Sequence, residues 1–110
     1  MTNVQLYRKN QNIVKVKVFG HSGYAEAGSD IVCASISSLA EALIIGIKEV
    51  LRIDAISSIN EEEASLEISL PNDLNNEDLD KSQILFKTFE RSIRGVAKEY
   101  PKYIKIKEIK

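Results

Sequence analysis

The sequence holds one imidazole, His21, and one thiol, Cys33. They stand near the two ends of a single segment, Gly20 through Ala34, which reads GHSGYAEAGSDIVCA in one-letter code. A thiol is a good nucleophile only as thiolate, and a free cysteine titrates at about 8.5, so its surroundings must favour the anion. The opening turn of a helix does this with unpaired N–H groups and the positive end of the macrodipole. A neighbouring imidazole can take the proton and hold the pair as thiolate and imidazolium. The same N–H groups can receive a developing oxyanion. His21 and Cys33 are therefore the candidate catalytic residues, suited to acyl transfer. Each also has an ordinary reading, the cysteine as a small packed hydrophobe and the histidine as a surface or capping residue. The segment between them is long enough to join the two or to keep them apart.

The flanking elements must put these residues in place. Thr2 to Arg8 alternates, with Val4 and Leu6 on one face, and Lys9-Asn10-Gln11-Asn12 is a polar turn. Val14, Val16 and Val18 then alternate with Lys15, Lys17 and Phe19, so residues 2–20 are expected to form a β-hairpin ending at Gly20-His21. Ser22 to Ser29 has two glycines and one aromatic, Tyr24, and reads as a loop that orders over a bound ligand. From Ile31 the period changes. Val32, Ile36, Leu39, Leu43, Ile47 and Val50 mark a helix running to about Arg52, with Ser29 or Asp30 as its cap.

Ile56 to Ile59 reads as a short strand and Glu61-Glu62-Glu63 as a polar turn. Leu66, Ile68 and Leu70 alternate in a strand closed by Pro71. Asn75 or Asn76, followed by Glu77 and Asp78, opens a second helix with its acids at the favourable end of the macrodipole. Its stripe is Leu79, Phe86, Phe89, Ile93, Val96 and Tyr100, and Pro101 stops it. Tyr103 to Ile109 is a last strand. The order ββα-ββ-αβ, with one apolar face per helix, predicts an α+β domain spanning residues 1–110. Its two amphipathic helices should pack on a mixed or mostly antiparallel sheet.

Composition narrows the function classes. At 110 residues, 44% hydrophobic and 28% charged, the chain is expected to be one globular unit. Fifteen basic against sixteen acidic residues leave a net charge of −1, too little to gather nucleic acid at long range. Lys98, Lys102, Lys105, Lys107 and Lys110, interleaved with Tyr100 and Tyr103, could face RNA, but lysines protecting an edge strand explain them more simply. Direct nucleic-acid binding is not expected. The longest apolar run, Ala42 to Ile47, is far too short to cross a bilayer, so no membrane partner is expected. One cysteine and no apolar leader suggest a cytoplasmic protein. No metal site is expected from one His and one Cys, and no dinucleotide or phosphate-loop motif implies a cofactor.

Gly20-His21, then Gly28-x-Asp30-Ile31-Val32-Cys33-Ala34, then Ser37, resembles the signature of the bacterial ribosomal-processing cysteine proteases, and the resemblance extends along essentially the whole chain. It implies His21 as catalytic histidine and Cys33 as nucleophile. It also implies a substrate, the N-terminal extension of a large-subunit ribosomal protein removed around ribosome assembly, and a homodimer. Ser22, where alanine is commoner, and Ser35-Ile36 depart mildly from the pattern. Asp30 could orient His21, though capping explains it with less assumption. Ser37 lies one turn beyond Cys33 on the same face, but its hydroxyl is expected to bond back to its own helix.

Two other functions compete: a non-enzymatic ribosome-associated module with Cys33 in the core, and a thiol redox sensor, which would lack a resolving cysteine.

Overall fold

The computed structural model describes residues 1–20 and 30–110. The expected loop from Ser22 to Ser29, and His21 itself, lie outside the described residues. Five strands and two helices follow the anticipated order: β1 (Thr2–Lys9), β2 (Asn12–Phe19), α1 (Ile31–Ile45), β3 (Ile56–Asn60), β4 (Ser65–Ser69), α2 (Asn76–Glu99) and β5 (Ile104–Ile109). The sheet order is β3-β4-β2-β1-β5. All neighbouring pairs are antiparallel except β1 with β5, which run parallel. The fold is therefore α+β with a mixed sheet.

The β1–β2 hairpin turns on Asn10 and Gln11, both at positive φ (59° and 83°), the mirror-image turn whose twist suits two right-twisted strands. The pairing skips one residue farther along. Tyr7 faces Lys15 while Arg8 faces Ile13, so Val14 is the extra residue of a bulge. The bulge inverts the alternation below it. Ile13, not Val14, joins Val16 and Val18 in the core. Gln83 of α2 meets the freed backbone: its Oε1 accepts from the Ile13 N–H (2.8 Å) and its Nε2 donates to the Ile13 carbonyl (2.9 Å). A buried glutamine thus sits in the middle of the α2 stripe, satisfying both groups that the bulge would leave unpaired.

On α1, Val32, Ile36, Ala40 and Leu43 are buried, and Ile47 continues the line. At Gly46–Val50 the helix widens into a π turn, closed by Leu51 N–H to Gly46 C=O (2.9 Å). The inserted residue rotates the following side chains, and Val50, expected on the core face, is 72% exposed. At Gly46 the helices come close together: a Cβ there would lie 2.7 Å from Leu85 Cδ1. The stretch Ile31–Val50, with a mean hydropathy of 1.8, is longer than the run read from sequence and could cross a membrane by length and composition alone. Here its apolar side is packed against the sheet and α2. Phe86, Phe89 and Ile93 of α2 complete the core.

Candidate functional site

Asp30 precedes α1 in an extended conformation (φ −80°, ψ 92°) and is the N-cap. Its Oδ1 accepts from the Cys33 N–H at 2.9 Å, and its carbonyl accepts from Ala34 N–H at 3.0 Å. The choice between Ser29 and Asp30 is thus settled for Asp30, and Cys33 becomes the third residue of the helix. Asp30 is only 7% exposed, so the cap is held within the protein and not in solvent. Capping uses the Cys33 amide. Those of Ile31 and Val32 keep no partner among the described residues, and they are the first-turn donors left for an anion.

The Cys33 thiol is free and half-buried. It opens into a cleft of about 210 Å³ between α1 and one end of the sheet. Cys33, Ser37, Ala40 and Glu41 form the helix wall. The other wall is the end of β3 and its turn, with Ile59, Asn60 and Glu61, followed by Ser65 and Leu66 of β4. Thr2 and Gly20 close the end of the cleft where β2 leaves the sheet. Gly20 has φ +87°, and a Cβ on it would stand 2.7 Å from the Met1 carbonyl oxygen, so only glycine fits at this position.

Of the two serines near the thiol, Ser35 is the one that bonds back to its helix, its hydroxyl donating to the Ile31 carbonyl at 2.7 Å. Ser37, expected to do so, makes no such bond and lines the cleft one turn from Cys33. The sequence reading missed Thr2 and Glu41, and took Glu61 only as part of a solvated turn. A signal for Glu41 was present: it is the only charged residue in α1 and lies eight residues from Cys33, near enough to whole turns to share its face. Nothing local marks Thr2.

A larger cavity, about 390 Å³, lies at the opposite end of the sheet between Tyr7, Lys15, Leu70 and Pro71. It holds no thiol or carboxylate, and the smaller cleft is the one that contains a nucleophile. Among the described residues, no three His, Cys, Asp or Glu side chains converge as a metal site would require.

A free thiol in the capped opening turn of a helix, beside a cleft at the end of an α+β sheet, is the arrangement of a small thiol-dependent hydrolase. The chain belongs to the cysteine protease Prp family, whose model matches residues 1–105. It is a cysteine protease by that membership. Its fold is similar to S. aureus ribosomal processing protease Prp with a covalently linked product peptide (TM-score 0.86, 20% identity, 98% of this chain and 99% of that one). It is similar also to SMU.848 from Streptococcus mutans (0.85, 27%, 99% and 94%). A further similar structure is S. aureus Prp with a substrate peptide (0.82, 19%, 98% and 99%). A comparison with curated proteins finds no match.

Proposed function

We propose that this chain is a cytoplasmic, homodimeric endopeptidase that removes the N-terminal extension of a large-subunit ribosomal protein, with Cys33 as nucleophile and His21 as its base. The observation that carries the reading is the position of Cys33, half-buried in a capped first turn and open to a cleft, in a chain of the Prp family. The S. aureus neighbours hold a substrate peptide and a covalently linked product peptide, which supports a peptide as occupant of this cleft.

His21 takes the Cys33 proton, and the sulfur attacks the scissile carbonyl carbon. The carbonyl π electrons move to oxygen, and that oxyanion is met by first-turn N–H groups of α1. As the oxyanion collapses, the C–N bond breaks, and His21 returns its proton to the leaving amine. Water, deprotonated by His21, then attacks the thioester carbon and releases the acid and the thiol. Gly20, the residue before His21 in the chain, lines the cleft, and its N–H donates to the Ala64 carbonyl at 3.2 Å.

The test is incubation with the extended ribosomal protein, followed by the masses of the products. Loss of one N-terminal peptide with wild type, and none with Cys33→Ala, is the expected result. An intact substrate under both conditions overturns the substrate assignment.

A further inference from the structure

We infer that the Cys33 cleft selects peptides carrying a cationic side chain three or four residues from the scissile bond, with Glu41 and Glu61 as the specificity-determining residues. The inference deepens the peptidase reading and rests on it. Among the described residues, the only charged side chains lining the cleft are these two carboxylates, one from each wall. The large cavity at the other end of the sheet has the reverse character, with Lys9 and Lys15 and no acid.

Most carboxylates near basic residues are already engaged: Glu67 with Lys15, Glu77 with Lys81, and Glu90 and Glu108 with Arg8 and Arg94. Glu41 and Glu61 form no ion pair among the described residues, and both are exposed, so an incoming ammonium or guanidinium meets no competitor. Glu41 is eight residues along α1 from Cys33, which at 1.5 Å per residue is about 12 Å. An extended peptide covers that distance in three or four residues.

A second feature of the same cleft independently points to a bound peptide. Thr2 shares the face of β1 with Val4 and Leu6, the face that the helices cover, and it lines the cleft. It is 1% exposed, and its Oγ1 is the one buried side-chain polar atom without a hydrogen-bond partner among the described residues. A buried hydroxyl in that state is costly, and a rotation of the Thr2 side chain towards the cleft would let a main-chain amide or carbonyl of a bound peptide satisfy it.

The experiment scans one lysine through positions two to five on either side of the scissile bond, each peptide matched by its glutamine counterpart. Cleavage gives kcat/KM for wild type, Glu41→Gln, Glu61→Gln and the double variant, with Glu62→Gln, which lies outside the cleft, as control. Binding of the same peptides to Cys33→Ala, with and without the two glutamines, is read by fluorescence anisotropy at low and high salt.

The expected result is a lysine preference of about five- to tenfold at one position, typical of one or two solvent-accessible ion pairs. The preference should fall to near unity in the double variant and persist in Glu62→Gln. Equal use of lysine and glutamine peptides by wild type, or a preference unchanged in the double variant, overturns the inference while leaving the peptidase reading intact. Lysine-dependent binding that needs Glu41 and Glu61, in a protein that cleaves none of the peptides, upholds the selectivity and removes the peptidase reading. Absence of lysine dependence in both cleavage and binding overturns the inference.

Discussion

The two helices begin with the same device and use it differently. Asp30 caps α1 by accepting from the amide three residues on, at 2.9 Å, and Asn75 caps α2 in the same way, at 2.8 Å. The residue whose amide is held is Cys33 in one and Asp78 in the other. In α2 the first turn also carries Glu77, so two carboxylates sit in the positive field of the helix end. In α1 the first turn carries no acid, and the residue at Asp78's equivalent is a thiol. One N-terminus is built for stability. The other leaves its field to a side chain that can become an anion.

The bodies of the helices continue the contrast. The outer surface of α2 is laced with charge, and Glu90 accepts from both Arg8 and Arg94. Apart from Glu41, α1 has no charge.

The largest expected effect lies at Cys33. Cys33→Ala should abolish peptide cleavage with a melting temperature close to wild type, while Asp78→Ala should cleave normally. Cleavage by Cys33→Ala, seen in product masses, would erase the distinction between the two helix starts.

Next is His21. His21→Ala should remove cleavage and slow alkylation of Cys33 near neutral pH. The alkylation rate should fall without vanishing, since Cys33 still lines the open cleft. Alkylation and cleavage both unchanged would take His21 out of the chemistry.

The caps come third. Asp30→Ala and Asn75→Ala should each lower stability by about 1 kcal/mol in denaturant titrations. Only Asp30→Ala should also lower kcat/KM, because it frees the amide of the nucleophile's own residue. Equal catalytic losses in the two variants would show that helix stability, and not the position of the thiol, is what matters.

The smallest effect is a pH dependence centred on Glu90 of α2. Burial pushes the Glu90 carboxyl up, but the hydrogen bonds and charges of Arg8 and Arg94 outweigh it, and the net shift is downward. A lowered folded-state value means that the ion pairs stabilise above the unfolded pKa of about 4.3, and that this contribution is lost as pH falls through the folded value. Glu90→Gln should therefore cost less than about 1 kcal/mol at neutral pH, since the pairs are partly open to solvent, and converge on wild type in strong acid. A constant difference across that range would assign the loss to packing.

Local pattern determined much of this molecule. Alternation marked four of the five strands; Ile56 to Ile59 reads as a strand without it, and β3 is exposed along most of its length. A change of period marked both helices, and Lys9 to Asn12, Ser29 or Asp30, Asn75 or Asn76, and Pro101 marked a turn, two caps and a stop, because each acts on backbone within a few residues; the structure selects Asp30 and Asn75. Cys33 in a helical first turn followed from the same short-range logic.

What the sequence did not determine depends on partners distant along the chain. The strand order and the parallel β1–β5 pair are choices among long-range pairings that alternation leaves equivalent. The bulge that buries Ile13 in place of Val14 is viable because Gln83, seventy residues away, satisfies the backbone it frees. The π turn that exposes Val50 likewise shifts a periodicity that sequence alone reads as unbroken. The cleft is tertiary in the same sense. Glu41 and Glu61 belong to a helix and a turn with no local relation, and packing of α1 across the sheet sets them on opposite walls of the Cys33 cleft.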